Sequence, residues 1–140
     1  MGDQQGLSLD LQNLATIYET RKEFYEAERL YRESLEIKKR IGDKRGIGYS
    51  YQGLGSIEIE RGNFEEAERC FMKVVDIREQ LKDSKGLGTI YAKLGELNKE
   101  RQDIEKSRFY YEKALKIFRS IGLFNLMATN EKKLLELTDK

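Results

Sequence analysis

The sequence predicts an all-α protein, a stack of repeated helix hairpins, on three observations. Apolar positions recur every 40 residues without insertion or deletion, as at Leu14, Leu54 and Leu94. A fixed period of this length is typical of stacked structural units rather than of a closed globule. Within each repeat, apolar residues follow the three- and four-residue spacing of an amphipathic helix. The chain also has no proline and 36% charged residues, a composition that favours long, solvated helices.

Each repeat contains two such helices. In the second repeat, the buried face of the first helix is marked by Ile47, Tyr51, Leu54 and Ile57. The buried face of the second helix is marked by Ala67, Phe71, Val74 and Leu81. Because only a short turn joins the two helices, they are expected to run antiparallel.

The residues that precede these helices are suited to N-capping. Asp43 and Asp83 stand before the first helix of repeats two and three, where a side-chain oxygen accepts an otherwise free backbone N–H. Asn63 and Asp103 are placed in the same way before the second helices. The sequence therefore predicts N-caps at these positions.

The turn inside each hairpin is predicted to hold a left-handed residue. Gly62 suits that conformation because glycine adopts it without steric conflict. Lys22 and Gln102 occupy the same position in the other repeats. A left-handed backbone at those residues costs on the order of 1 kcal/mol, so we expect the two turns to be less well determined.

Small residues indicate where the two helices of a hairpin come closest. The first helices carry Ala15, Gly55 and Gly95. The second helices carry Ala27, Ala67 and Ser107. A large side chain is expected to fill the space beside each pair, and the candidates are Tyr31, Phe71 and Tyr111.

The spacing of these residues resembles the tetratricopeptide repeat. Its pattern sets a large residue, Leu-Gly and Tyr on helix A, then Ala, an aromatic residue and a small residue on helix B. Repeat one has Leu11, Leu14, Ala15, Tyr18, Ala27, Tyr31 and Ser34. Repeat two has Tyr51, Leu54, Gly55, Ala67, Phe71 and Val74. Repeat three has Tyr91, Leu94, Gly95, Ser107, Tyr111 and Ala114.

The chain departs from the common form of this repeat. The common period is about 34 residues and its second helix ends at a proline, whereas this chain has neither feature. Glu58 and Asn98 also stand where the pattern sets the helix A tyrosine. The resemblance is therefore to the 40-residue subclass found in adaptor and regulatory proteins. It implies a right-handed superhelical α-α solenoid of three hairpins and a capping helix, seven helices in all.

We expect a single tetratricopeptide repeat domain over residues 1–140. Its parts are repeats at about 5–42, 44–82 and 84–122, followed by a capping helix at about 124–138. Leu135 supports the capping helix, because it stands in the register where Gly55 and Gly95 let a second helix approach. A bulky residue is acceptable there when no further helix packs closely against it.

The residue types argue against catalysis. The chain has no histidine, which removes the usual general base and the commonest metal ligand. The single cysteine, Cys70, aligns with Leu30 and Tyr110 on an apolar helix face, so we interpret it as a core residue. We therefore predict a protein that is not an enzyme, with no catalytic residue, no cofactor and no metal site.

Charge and hydropathy argue against nucleic acid and membrane as partners. The net charge of +1 gives no overall attraction to either. The basic run from Lys38 to Arg40 is interpreted as cations that solvate the C-terminus of a helix. No segment approaches the roughly 20 apolar residues that span a membrane, and the N-terminus does not resemble a signal peptide. With one cysteine as well, the expected compartment is the cytoplasm.

The resemblance implies where a partner binds. In tetratricopeptide folds the A helices line a concave groove, and partners usually bind there. The matching positions are Gln12, Asn13, Thr16, Tyr49, Gln52, Ser56, Glu60, Thr89, Lys93, Glu96 and Glu100. Repeats that bind the acidic C-termini of chaperones use a basic clamp in this groove. Of the clamp positions only Lys93 is basic here, which argues against that ligand class.

The function implied is a protein–protein interaction module that binds a peptide or helix of a partner protein, as an adaptor or scaffold. The chain is expected to be a monomer or a weak homo-oligomer. One alternative is a structural or self-associating module, and another is a regulatory sensor whose superhelical pitch changes when a peptide binds. Phe109 bears on self-association: it either packs on the capping helix or forms an exposed apolar spot.

Overall fold

The computed structural model of the protein describes residues 3–138, which form seven α-helices and no β-strand. The helices are α1 (Gln4–Thr20), α2 (Phe24–Ile41), α3 (Lys44–Glu60), α4 (Phe64–Gln80), α5 (Ser84–Glu100), α6 (Ile104–Ser120) and α7 (Phe124–Thr138). The prediction of an all-α chain is confirmed.

The helices group into two compact units. Unit 1 runs to Ile77 and holds α1, α2, α3 and most of α4; unit 2 runs from Arg78 and holds the end of α4 with α5, α6 and α7. In unit 1, α2 packs against both α1 and α3. In unit 2, α6 packs against both α5 and α7.

Side chains cap the helices largely where the sequence predicts. The Oδ1 atoms of Asp43, Asp83 and Asp103 each accept a hydrogen bond from the backbone N–H three residues later, at 3.0, 2.9 and 3.1 Å. These bonds satisfy donors that the first turn of a helix leaves without a partner. Asn63 differs, because its side-chain amide donates to the carboxylate of Glu58 at 2.8 Å.

The turns contain the predicted left-handed residues. The φ angle is 80° at Gly62 and 62° at both Lys22 and Gln102. A lysine is left-handed in the turn between α4 and α5 as well, with φ of 54° at Lys82. In each of these non-glycine residues, the left-handed backbone brings the Cβ too close to the following carbonyl oxygen.

The close approach of paired helices is confirmed in both units. In unit 1, Ala15 and Ala27 are completely buried, and the ring of Phe71 lies directly against Gly55. In unit 2, the Oγ of Ser107 donates to the carbonyl oxygen of Gly95 across the hairpin at 2.7 Å. Because the serine hydroxyl is only one bond from its Cβ, this hydrogen bond shows that the two helix backbones lie close together.

Positions that share a register do not all share an environment. Leu54 and Ile57 of α3 are buried beneath α2, whereas their counterparts in α1, Leu14 and Ile17, are 41% and 53% exposed. The helices that pack against α1 are α2 and, with a smaller contact, α3, and they leave Leu14 and Ile17 largely in solvent. Leu135 in α7 is also exposed, at 65%, in keeping with the expectation that no helix lies closely against it.

Phe109 forms an exposed apolar spot. Its ring is 54% exposed and meets the ring of Tyr110 edge-on, with centroids 5.2 Å apart. The ammonium of Lys113 lies 5.4 Å from its centroid. Of the two alternatives for Phe109, its exposure fits an exposed apolar spot.

Candidate functional site

Seven of the residues predicted to bind a partner lie on α1 and α3 in unit 1. Asn13, Thr16, Tyr49 and Glu60 are exposed, and Gln12, Gln52 and Ser56 are half-buried. Gln12 and Tyr49, although distant in sequence, line the same cavity. In unit 1, side chains of two A helices, α1 and α3, therefore line one cavity.

The cavity has a volume of about 240 Å³. Its walls are formed by Gln5, Ser8, Leu9, Gln12, Lys38, Asp43, Arg45, Gly46 and Tyr49. The α1 side of the wall supplies mainly amides and a hydroxyl, and the α3 side supplies a guanidinium and a phenol. Lys38 is the contribution of α2, which lies between these two helices.

Lys38 is buried, so the prediction that it is a solvated cation is wrong. Only 2% of the residue is exposed. Its ammonium donates to the Oε1 of Gln12 and, at 3.1 Å, to the Oγ of Ser50. Burial lowers the pKa of Lys38 to about 8, and the nearby carboxylate of Asp43 only partly opposes this shift.

A signal for this burial was present in the sequence. Lys38 continues the three- and four-residue spacing of Tyr31 and Ser34, which are both buried. One period later, Arg78 occupies the same register and is only 6% exposed. Its guanidinium donates to the carbonyl oxygen of Gly86 at 2.8 Å. A cation on the buried face of α2 or α4 is thus a recurring structural feature.

Thr16 is partly engaged within unit 1. Its hydroxyl lies 3.2 Å from the hydroxyl of Tyr31, which donates to the carboxylate of Glu19 at 2.8 Å. Burial raises the pKa of Tyr31, and the Glu19 carboxylate raises it further, so the phenol stays a donor at neutral pH. Asn13, which is exposed, presents its amide to solvent beside this network.

The other four predicted residues lie on α5 in unit 2. The hydroxyl of Thr89 turns back to its own helix and donates to the carbonyl oxygen of Lys85 at 3.0 Å. Lys93 is half-buried, and Glu96 and Glu100 are exposed. Burial raises the pKa of Tyr111, and the charges of Glu96 and Glu100 add to that shift. This helix face is acidic towards its C-terminal end.

Reactive groups are sparse in the part of the chain that the structure describes. Cys70 is 7% exposed, and burial raises the pKa of its thiol to about 11, so little of it is a thiolate at neutral pH. Residues 3–138 contain no group of three or more Cys, Asp or Glu side chains placed to hold a metal ion. Within the same range, no helix combines the length and apolar character needed to cross a bilayer.

Two units of helix hairpins with polar A-helix surfaces define a helical-repeat protein of the kind that serves in protein interaction. The chain belongs to the tetratricopeptide repeat family, whose profile matches residues 7–80 and 49–120. These two matches together extend over most of the sequence. Domains of this family generally bind protein partners and are typically non-catalytic.

Solved structures agree with this assignment. A STAND signal-transduction ATPase with a tetratricopeptide repeat sensor from Pyrococcus horikoshii gives a TM-score of 0.88 at 23% identity, over 98% of this chain and 21% of that one. The tetratricopeptide repeat domain of Arabidopsis FLU gives 0.76 at 17% identity, over 84% and 98%. BtubC (BKLC) from P. vanneervenii gives 0.75 at 16% identity, over 99% and 66%.

These likenesses show the fold, an all-α helical-repeat solenoid. The chain spans about a fifth of the signal-transduction ATPase and just under two thirds of BtubC. A search of proteins with curated descriptions found no match.

Proposed function

We propose that this chain is a protein-interaction module that binds an extended or helical peptide segment of a partner protein, as an adaptor or scaffold. The observation that carries the proposal is the cavity between α1 and α3, whose wall contains Gln12 and Tyr49 from the predicted set. Peptide recognition needs a concave surface with a few oriented polar groups, and the cavity supplies both.

Polar side chains of α1 and α3 outside the cavity wall also suit a peptide backbone. Amides such as that of Asn13 both donate and accept, so they can pair with the N–H and C=O groups of an extended chain. Ser56, half-buried on α3, adds a hydroxyl that serves in either role. On α5 of unit 2, the acidic face with Glu96 and Glu100 supports a second contact surface that favours basic segments.

We further propose that residues 1–140 act as one domain of three repeats and a capping helix. A single cysteine fits a reducing compartment such as the cytoplasm. The even balance of charge, at +1, favours neither nucleic acid nor membrane as a partner.

The proposal is tested by selecting phage-displayed random peptides on the wild-type protein and measuring the affinity of synthetic copies by fluorescence anisotropy. Asn13→Arg and Ser56→Arg, made together, place bulk and charge on the proposed surface. Binding is expected to weaken about tenfold or more, because several hydrogen bonds of the peptide are lost.

Glu36→Arg is the matched control, since Glu36 is exposed on α2 and outside the predicted set. It makes an equal change of charge in the same unit and is expected to leave affinity unchanged. Equal affinity of the wild-type and the Asn13→Arg, Ser56→Arg protein, both correctly folded by circular dichroism, would rule out this surface.

A second candidate function, self-association, is favoured by the uncovered side of α1. Leu14 and Ile17 are exposed there, although the same register in α3 is buried beneath α2. A second copy could supply a helix that covers Leu14 and Ile17. Sedimentation velocity over a range of concentrations tests this: the wild-type protein should associate and Ile17→Lys should not. A wild-type protein that stays monomeric removes this candidate.

A further inference from the structure

The cavity of unit 1 is built around a cation that solvent hardly reaches. Lys38 lines the cavity, yet only 2% of it is exposed, and its ammonium is held by Gln12 and Ser50. Ion pairing does not explain this arrangement, because no carboxylate within residues 3–138 forms an ion pair with Lys38. A buried cation without a paired anion is costly and calls for a further role.

The carboxylate that acts on the pKa of Lys38 already accepts a hydrogen bond from another residue. Asp43 accepts the backbone N–H of Gly46 at 3.0 Å, where it also offsets the positive end of the α3 dipole. Arg45 contributes a second cation to the same wall. The lining of the cavity is therefore positive overall, which favours an anionic guest.

The amide of Gln12 is oriented by the lysine. An ammonium has donors only, so the oxygen of the Gln12 amide must be the atom that faces Lys38. The NH₂ group of the same amide is left to donate elsewhere, and no described residue accepts from it. A wall residue with a fixed oxygen and two available N–H donors is suited to an acceptor such as a carboxylate.

The size of the cavity selects among anions. At about 240 Å³ it is much larger than the roughly 30 Å³ that one water molecule occupies. It falls below the range of about 300–1,000 Å³ that is usual for sites of drug-sized ligands and cofactors. A single amino-acid side chain fits between these limits.

We propose that the cavity receives the carboxylate of a Glu or Asp side chain of a bound peptide, which accepts from the Gln12 NH₂ group and is stabilised by the charge of Lys38. The inference rests on the proposed peptide-binding function. The cation in this proposal is Lys38 on α2, the second helix of its hairpin, whereas the basic clamp uses residues of the first helices. The counterpart Arg78 is not equivalent, because its guanidinium is used on the carbonyl of Gly86.

The test starts from the peptides selected on the wild-type protein. An acidic residue is expected at one fixed position, and replacing that residue by its amide should weaken binding about tenfold, the usual worth of a charge-assisted hydrogen bond. With Lys38→Met the same replacement should change affinity by less than about twofold, since the charge that favours a carboxylate is gone.

Two further variants keep the test decisive if Lys38→Met does not fold. Lys38→Arg retains the charge in a register where Arg78 is accommodated, and it should keep the preference for an acidic peptide. Gln12→Glu supplies the anion from the protein itself, and it should abolish that preference.

The outcomes distinguish failure of the carboxylate site alone from failure of peptide binding as a whole. Peptides that bind the α1 and α3 surface with no dependence on a carboxylate overturn the inference alone, as does an equal loss in the wild-type and Lys38→Met proteins. Failure to select any peptide overturns both. Competition by free glutarate as effective as that by the peptide would assign the cavity to a small dicarboxylate, and would also overturn the inference.

Discussion

The ring of Phe71 occupies the space in which a side chain on Gly55 would lie. A Cβ placed on Gly55 would come within 2.5 Å of the Cε1 of Phe71, well inside van der Waals contact. Phe71 is completely buried, so its ring has little freedom to move away. The pairing of a glycine on α3 with an aromatic residue on α4 sets the distance between the two helices.

We predict that Gly55→Ala destabilises unit 1. The overlap with Phe71 is expected to cost about 1–3 kcal/mol, more than the gain of about 1 kcal/mol in helix propensity. Gly48→Ala on the same helix is the matched control, because a Cβ there meets only Ile77 at 3.7 Å. Urea denaturation followed by circular dichroism should show a loss for Gly55→Ala and a neutral effect or a gain for Gly48→Ala.

Replacing a left-handed lysine by glycine is predicted to stabilise the fold. Lys22 has a φ of 62°, so Lys22→Gly should raise the free energy of unfolding by about 1 kcal/mol. The converse change, Gly62→Lys, should lower it by a similar amount, since open space surrounds Gly62 and only the backbone is strained. Lys22→Ala, which keeps a Cβ, is expected to give no gain. A gain with alanine would place the effect in the lysine side chain instead.

Asn98 is a buried amide whose side chain makes one hydrogen bond among the described residues. Its Nδ2 donates to the carbonyl of Leu94 at 2.8 Å, but its Oδ1 has no partner among the described residues. Asn98→Leu should therefore stabilise the protein by about 1 kcal/mol, because a buried unsatisfied oxygen is removed. Thermal unfolding measures the effect, with the exposed Asn13→Leu as a control expected to change little. Destabilisation by leucine would mean that the amide has a partner that the fold requires.

Stability is predicted to rise with pH above about 8 because of Lys38. Its pKa is about 8 in the folded chain and 10.5 ordinarily, so the unfolded chain binds the extra proton between these values. Deprotonation therefore favours the folded state, by about 3 kcal/mol over the whole interval. The carboxylate of Asp43 opposes part of the shift, and Arg45 and Tyr49 are the other ionisable groups that line the cavity.

The measurement is the free energy of unfolding from pH 7 to pH 10 for the wild-type protein and Lys38→Met. The raised pKa values of Cys70 and Tyr31 act in the opposite direction at high pH, since they favour the folded state only while protonated. Both groups are present in the two proteins, so their contributions cancel in the difference. A difference that does not change with pH would contradict the burial of a protonated lysine.

The packing of the hairpins could be predicted because its requirements recur. Gly55 and Gly95 are small for the same geometric reason, and the period sets the two positions side by side in an alignment of the chain with itself. The sequence also shows polar residues, Glu58 and Asn98, at the helix A tyrosine position. It does not show which partners these two side chains have in the fold. Glu58 is paired with Arg61 at 2.9 Å, whereas Asn98 keeps an unpartnered oxygen.

The candidate site could be predicted only in part. The A-helix positions follow from the register, but the burial of Lys38 depends on Gln12, which lies 26 residues earlier in the chain. The spacing from Tyr31 and Ser34 places Lys38 on the buried face of α2, but it does not show which distant side chain accepts from the ammonium. In the same way, the period shows that Leu14 is equivalent to Leu54, but it does not show whether a neighbouring helix is present to cover it.

The only cysteine of the chain lies in the core of unit 1, beside residues such as Leu54 and Ile57. A thiol-specific reagent can therefore modify the native sequence at one place, and only when α4 separates from its neighbours. The rate of labelling reports how often that separation occurs, and its dependence on urea distinguishes a local opening from complete unfolding. The labelling rate of Cys70 therefore measures the opening of unit 1 in the unmodified protein. The effect of a bound peptide on that opening can be measured at the same residue without an engineered probe.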